Sequence, residues 1–229
     1  MFCVLLVSQV LLSACGAVPL TGRRQVLLVS DQEIFQAGLV QYNEYLAGAT
    51  LSADKSSTQM VQTVGRKLAD ATERYLRANG YGSEISNFAW EFNLVKDNQV
   101  NAFCMPSGKI VFYEGILKYA DTPDYIAVVM GHEMAHAIAK HGNERMSQES
   151  VMNLLGNVAS EAIGAKKGAA AQSLFNLGFG IGSQVGVLLP YSRKHEYEAD
   201  RIGVYIMKLA GYDINAAPEF WRKMLNGKT

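Results

Sequence analysis

The stretch His132-Glu133-Met134-Ala135-His136 has residue types and a spacing typical of a catalytic metal site. Two histidines four residues apart lie on the same face of an α-helix, so both imidazoles can reach one ion. Glu133 is rotated by about 100° from His132 around the helix axis, so its carboxylate can lie beside the ion without binding it. This is the position of a general base for a metal-bound water. The alternative, two ordinary histidines of a core or surface helix, requires a chance match in a chain with only four histidines.

A capped helix is predicted to carry this motif. Thr122 is suited to the N-cap, Pro123 to the first helical position, and Asp124 to the positive end of the helix dipole. We expect the helix to end at His141-Gly142, with glycine at the C-terminal cap. His141 lies off the ligand face, so we expect it to brace the end of the helix and not to bind metal.

The third metal ligand must come from elsewhere in the chain, because no further histidine follows at a suitable spacing. Ser192 predicts the start of a helix that places Glu196 and Asp200 on one face. Ala199 and Gly203 lie on that face as well, so this helix can approach the first one closely. We therefore predict Glu196 as the third ligand and Asp200 as acceptor of a ring N–H from a ligand histidine. The alternative is a solvated charged face.

The other elements are predicted from hydrophobic periodicity and turn residues. Helices are expected at about 31–47 and 58–78, a loop at 48–57, a strand at 88–96 and a hairpin over 101–113. The short connections predict antiparallel strands. The glycine-rich segment 155–189 is interpreted as two loosely packed helices, with a mobile cover or membrane-facing flap as the alternative.

The first fifteen residues predict a lipoprotein signal peptide. Their apolar run is too short to cross a bilayer as a helix, and it ends in Leu12-Ser13-Ala14-Cys15-Gly16, which resembles a bacterial lipobox. Cys15 would then be lipidated, residues 16–30 would form a tether, and residues 31–229 would form the domain. By resemblance to lipoproteins of two-membrane bacteria, Gly16 favours a periplasm-facing position on the outer membrane over the inner one. The alternative is a buried N-terminal helix or strand with an incidental cysteine.

The composition excludes several other classes of protein. Lys plus Arg and Asp plus Glu are both 21, so the basic excess typical of a nucleic-acid binder is absent. Hydrophobic residues make up 49% of the chain, which excludes a disordered protein, and three cysteines cannot form a disulfide scaffold. The length of 229 residues suits one full domain.

Taken together, these residues resemble the HtpX-like and CAAX-prenyl-protease-type family of zinc metallopeptidases, in its soluble bacterial lipoprotein branch. The matching pieces, in chain order, are Thr21-Gly22-Arg23-Arg24-Gln25, Asn101-Ala102-Phe103 with Pro106-Ser107-Gly108-Lys109-Ile110, the His132–His136 motif with His141-Gly142, and Ser192-Arg193 with Glu196 and Ala199-Asp200. The resemblance implies an α+β fold of the gluzincin type, mostly helical, with a small antiparallel β-sheet beside the active-site helix. It also implies one Zn²⁺ per chain and hydrolysis of misfolded or misassembled envelope proteins, which is a quality-control activity.

The same resemblance gives the hairpin a role. Asn101, Ala102, Phe103 and Gly108 would border the cleft, and an extended substrate could add to the free edge of the strand. Cys104 departs from the family pattern. It is interpreted as a core thiol, with an inhibitory thiolate near zinc as the alternative.

The oxyanion donor stays open among Arg193, Tyr191 and His195, because the chain has no histidine after His195.

The sequence therefore predicts a zinc-dependent metalloendopeptidase in which Glu133 activates the metal-bound water. Its partners would be unfolded or misassembled polypeptides and a membrane reached through the lipid anchor, and not nucleic acid. Two alternatives remain. One is a latent or non-catalytic zinc lipoprotein that acts as a chaperone or binding module. The other is a hydrolase of cell-wall amides, which the edge strand disfavours because it suits extended peptides.

Overall fold

The computed structural model describes residues 15–86, 88–157 and 192–227 of the chain. The predicted signal peptide lies outside the described residues, apart from Cys15. Most of the glycine-rich segment and Tyr191 also lie outside them. No helix in the described ranges has the length and hydrophobicity needed to cross a membrane.

Helices dominate the described part, with two small sheets between them. In chain order the elements are β1 (Cys15–Ala17), β2 (Arg24–Val26), α1 (Asp31–Gly48), α2 (Lys55–Ala78), α3 (Gly82–Ile85), β3 (Glu91–Val95), β4 (Ala102–Cys104), β5 (Lys109–Tyr113), a 3-10 helix (Glu114–Lys118), α4 (Pro123–Ile138), α5 (His141–Asn157), α6 (Arg193–Leu209) and α7 (Ala216–Asn226). The predicted class, a mostly helical α+β peptidase domain with a small sheet, is confirmed.

The predicted starts of α1 and α4 agree with the observed N-caps. Ser30 and Glu33 form a capping box at the start of α1, and the Thr122 side chain accepts from the Tyr125 N–H at the start of α4. Helix α2 begins three residues earlier than expected, because the Asp54 carboxylate accepts from the backbone N–H groups of Ser56 and Ser57.

The predicted end of the motif helix is wrong. Helix α4 ends at Ile138, and α5 begins at His141, so Gly142 lies inside the next helix and does not act as a cap. Lys140 takes the left-handed conformation at the junction, with φ +54°. Its ammonium group bridges Asp31 at 2.7 Å and Glu84 at 2.8 Å, and these ion pairs help to offset the cost of that conformation.

The three-stranded sheet is mixed, and the prediction of antiparallel strands holds only in part. Strands β4 and β5 form the expected antiparallel hairpin, but β3 runs parallel to β5, in the order β3-β5-β4. After β3 the chain crosses to the far position of the sheet, forms β4 there, and then returns as β5 between the two strands. The short-connection rule therefore applies to the consecutive pair β4 and β5, and not to β3 and β5.

Helices α4 and α6 are in direct backbone contact at two glycines, as the small residues predict. A β-carbon on Gly203 would lie 2.9 Å from the carbonyl carbon of Gly131 and 2.9 Å from the amide nitrogen of His132. Helix α4 is buried from Ile126 to Ile138, so it forms the centre of the main core. The close crossing brings the carboxylates of α6 up to the histidines of α4.

Residues 16–30, expected to form a tether, are in fact packed against the domain. Strands β1 and β2 pair as an antiparallel hairpin, Val18 is fully buried, and the Gln25 side chain is buried as well. The backbone of Val18 bonds to Arg23 and Gly22, which closes the turn between the two strands.

Candidate active site

The structure brings together the three side chains predicted as metal ligands. The Nε2 atoms of His132 and His136 lie 3.1 Å apart. Glu196 places one carboxylate oxygen 3.5 Å from His132 Nε2 and the other 3.9 Å from His136 Nε2. Among the described residues, these three form the group that could hold a metal ion, with their ligand atoms all within 4.8 Å of one another. Both histidines are buried, whereas the Glu196 side chain is 31% exposed.

The geometry of this group fits a tetrahedral zinc ion. With zinc–ligand distances of about 2.0–2.1 Å, neighbouring ligand atoms should lie about 3.3 Å apart. The observed separations of 3.1 to 3.9 Å lie around that value. The Glu196 Oε1 atom is buried and has no hydrogen-bond partner among the described residues. Two imidazoles and one carboxylate also form a donor set that zinc prefers.

Glu133 lies beside this group and is almost completely buried. Burial raises the pKa of Glu133 to about 7, and the charge of Glu196 adds to that rise, while His132 and a backbone hydrogen bond from Cys104 oppose it. Its Oε1 atom has no hydrogen-bond partner within the described part of the chain. A carboxyl group with a pKa near neutrality can both take up and release a proton at working pH.

His132 is oriented by Asp200, as predicted. The Nδ1 atom of His132 lies 2.9 Å from Asp200 Oδ1, so the ring donates to the carboxylate and its Nε2 lone pair faces the ligand group. The Asp200 side chain is 46% exposed. Trp221 of α7 also packs edge-on with the His132 ring, at a centroid distance of 5.7 Å.

His136 contacts a second histidine, His141, which was expected to brace the end of the motif helix and instead lies at the start of the next helix, against the ring of a predicted ligand. The Nδ1 atoms of His136 and His141 lie 3.0 Å apart, and His141 Nε2 lies 3.0 Å from Glu198 Oε2. His141 has no exposed surface. The sequence prediction missed Glu198, although it follows the predicted ligand Glu196 by two residues and its neighbour Ala199 is buried.

Glu198 belongs to a buried ionic network that continues into the N-terminal hairpin. It accepts hydrogen bonds from Thr21 Oγ1 at 2.5 Å and from Arg23 Nε at 2.6 Å. The two terminal nitrogens of Arg23 donate to the carboxylate oxygens of Glu144 at 2.8 and 2.7 Å. Burial alone would raise the pKa of Glu144, but hydrogen bonds from His195 and Arg23 lower it to about 2.

The three candidates for the oxyanion donor have different positions. His195 is buried, bonds Glu144 through Nε2 at 2.9 Å and stacks on His141 with a centroid distance of 4.4 Å. It is thus engaged in the network behind His136. Arg193 is exposed at the first residue of α6, and Tyr191 lies outside the described residues.

The predicted substrate strand borders the site through β4. One edge of β4 pairs with β5, and in the described part of the chain the other edge has no strand partner. Ala102 and Phe103 belong to this strand, while Asn101 precedes it and uses its side chain to accept from the Ala102 N–H. Gly108 lies in the hairpin turn at φ +81°, directly under Trp90. Its role is therefore to form the turn.

Cys104 matches the interpretation of a core thiol. Its Sγ atom donates to the Met105 carbonyl at 3.2 Å. Burial raises the pKa of the Cys104 thiol well above its ordinary value, and the charge of Glu133 adds to this. Cys104 does not belong to the group of described residues that could hold a metal ion.

A helix that carries two histidines and a glutamate, with a carboxylate supplied by a second helix, defines a zincin-type metallopeptidase site. The chain belongs to Peptidase family M48, whose family model matches residues 55–227. This confirms, at the level of the family, the predicted class of metalloendopeptidase. The narrower resemblance to the HtpX-like and CAAX-protease-type lipoprotein branch stays a prediction.

The chain is also similar to individual members of this class. It is 36% identical over 142 residues to the mitochondrial metalloendopeptidase OMA1 of Schizosaccharomyces pombe, covering 62% of this chain and 40% of that protein. It is 26% identical over 223 residues to the beta-barrel assembly-enhancing protease of Yersinia pestis, covering 95% and 43%. Against the human mitochondrial metalloendopeptidase OMA1, identity is 27% over 211 residues, covering 90% and 39%. The chain thus spans less than half the length of these relatives.

Proposed function

We propose that this chain is a zinc-dependent endopeptidase that hydrolyses peptide bonds within unfolded or misassembled polypeptides of the cell envelope. The observation that carries the proposal is the convergence of His132, His136 and Glu196 beside the buried carboxyl group of Glu133. In this proposal the two histidines and Glu196 hold one zinc ion. Zinc, when bound, supplies a Lewis acid for hydrolysis.

Glu133 acts as general base and then as general acid. Its Oε1 atom takes a proton from the water that attacks the scissile carbonyl carbon, and it returns that proton to the nitrogen when the C–N bond breaks. Asp200 and His141 hold the two histidine rings, so that each keeps its Nε2 lone pair directed at the ligand group.

The free edge of β4 is proposed to bind the substrate. An extended polypeptide would add there as a further strand, next to Glu133, and would be held by main-chain hydrogen bonds that demand little of its sequence. This mode of binding suits unfolded chains, which offer extended backbone, and excludes folded ones. We leave the oxyanion donor open between Arg193 and Tyr191, since His195 is engaged elsewhere.

A position in the cell envelope is proposed from the sequence of the N-terminus and from one group of relatives. Residues 1–15 would be the signal peptide and lipidated Cys15 the membrane anchor, facing the periplasm from the outer membrane. The similarity to a bacterial protease whose name refers to β-barrel assembly supports this location. The mitochondrial relatives support the peptidase activity and not the location.

The test is to measure zinc content and casein cleavage side by side for the protein and for its Glu133→Gln variant. We expect both to hold one zinc per chain, and we expect cleavage to fall by about 10²–10⁴-fold in the variant. Removal of zinc with a chelator should abolish cleavage, and added zinc should restore it. Glu44→Gln, at an exposed site on α1, is the matched control and should keep full activity.

Full activity in Glu133→Gln would contradict the assigned base. Zinc in both proteins with cleavage in neither would instead favour a latent or non-catalytic zinc protein that binds envelope polypeptides.

A further inference from the structure

The N-terminal hairpin contributes two side chains to the network behind the proposed zinc site. Thr21 and Arg23 lie outside the matched range 55–227, yet both bond the carboxylate of Glu198. We propose that Arg23 is a positioning residue for the metal site: by fixing Glu198 it fixes His141, and through His141 it fixes the ring of His136. This inference rests on the proposed function, in which His136 is a zinc ligand.

The hydrogen-bond directions along this chain of contacts follow from the groups involved. An ionised Glu198 can only accept, so His141 must donate to it from Nε2. The Nδ1 atom of a neutral His141 is then an acceptor, so His136 must donate from its own Nδ1. The Nε2 atom of His136 is left with its lone pair, which is the form that binds a metal. The orientation of Glu198 therefore sets the state of His136, although the two residues do not touch.

Arg23 suits this task because of its shape as well as its charge. All three of its guanidinium nitrogens are used, one on Glu198 and two on Glu144, at 2.6 to 2.8 Å. Its side chain is 14% exposed, and the two carboxylates are 6% and 7% exposed. A planar fork with donors in fixed directions can hold two carboxylates in fixed orientations, whereas a lysine supplies a point charge on a flexible stem.

Glu144 extends the effect of Arg23 to the stacked histidines. Its Oε2 atom accepts from His195 Nε2 at 2.9 Å, and the His195 ring lies flat against His141. Arg23 therefore holds His141 by two routes, from Glu198 at the ring nitrogen and from Glu144 through the stacked ring of His195.

The experiment uses the full chain with Arg23→Gln, Arg23→Lys and, as matched control, Arg24→Gln. Arg24 is the next residue in sequence and is exposed. Zinc affinity is measured by competition with a chromophoric chelator, ligand geometry by the visible spectrum of the cobalt-substituted protein, and folding by circular dichroism. We expect Arg23→Gln to weaken zinc binding by about 10–100-fold and to change the cobalt spectrum. Arg23→Lys should lie between this variant and the unchanged protein, and Arg24→Gln should match the unchanged protein.

A merely structural role for Arg23 would give a different result. Arg23→Gln would then melt at a lower temperature, but below that temperature it would bind zinc with unchanged affinity and give an unchanged cobalt spectrum, which would overturn the inference. If Arg23→Gln does not fold, Thr21→Val removes one donor to Glu198 without removing a charge. We expect it to weaken zinc binding several-fold, and unchanged affinity would overturn the inference. Failure of the unsubstituted protein to bind zinc would instead overturn the proposed metal site, and this is seen before any variant is compared.

Discussion

The two histidines of the candidate site are supported in opposite ways. His132 bonds one carboxylate, Asp200, whose side chain is 46% exposed. His136 bonds His141, which has no exposed surface, and His141 in turn bonds Glu198, which is 6% exposed. The ring of His132 is thus oriented by a half-exposed carboxylate. The ring of His136 is oriented by a buried ionic network that reaches the N-terminal hairpin.

This difference has consequences for stability. A pair in which one partner is half-exposed, as Asp200 is, contributes up to about 1 kcal/mol because water competes for that partner. Removing one partner of a buried pair costs about 3–5 kcal/mol, since the remaining charge stays in a low-dielectric environment without compensation. We therefore expect substitutions in the network behind His136 to lower both the zinc affinity and the free energy of unfolding. Substitution of Asp200, which contacts His132, should lower the zinc affinity with little effect on the free energy of unfolding.

The largest effect is expected for Glu198→Gln on the buried side. The amide keeps the shape of the side chain but loses the charge that Arg23 and His141 face, and it has one acceptor oxygen for donors that now use two. We expect the free energy of unfolding of the zinc-free protein to fall by about 3 kcal/mol, measured by chemical denaturation. A loss of unfolding free energy below 1 kcal/mol would mean that the network does not stabilise the fold. The proposed contrast between the supports of His132 and His136 would then be wrong.

The sequence could predict the support of His132 by Asp200, but not the network of Glu198 and Arg23 behind His136. Glu196 and Asp200 were accessible to prediction because helical spacing alone places them on one face with Ala199 and Gly203. The bond between Arg23 and Glu198 joins residues 175 positions apart, and no local spacing encodes such a contact.

The secondary structure shows the same distinction between local interactions, which the sequence reveals, and long-range contacts, which it does not. Capping residues predicted the starts of α4 and α6, because the interactions of a cap are local. The end of α4 depends instead on Lys140, whose left-handed conformation is supported by Asp31 and Glu84 from distant elements. The parallel pairing of β3 with β5 likewise depends on tertiary packing.

A smaller effect is expected for Gly203→Ala, which perturbs the crossing of α4 and α6. The added methyl group would lie 2.9 Å from backbone atoms of Gly131 and His132, and backbone cannot move aside as a flexible side chain would. Helix α6 must then shift away from α4, at a cost of about 1–3 kcal/mol in the free energy of unfolding. Denaturation of the zinc-free protein measures this, with Gly48→Ala as the control.

Gly48 is the last residue of α1, and no atoms lie within 4 Å of its added methyl group. Equal stability of Gly203→Ala and Gly48→Ala would show that the crossing of α4 and α6 can accommodate a methyl group. The separation of Glu196 from the two histidines would then not depend on that contact.

The smallest effect on stability is expected for Asp200→Asn on the exposed side. The amide oxygen can still accept from His132 Nδ1, so the tautomer is kept, but the negative charge that strengthens the ligand is lost. We expect zinc affinity to fall by about 10-fold, while the free energy of unfolding changes by less than about 1 kcal/mol. Chelator competition and chemical denaturation of the same preparation measure both quantities. If Asp200→Asn destabilised the zinc-free protein as much as Glu198→Gln does, exposure would not be what separates the two sides, and both histidines would have to be regarded as coupled to the fold.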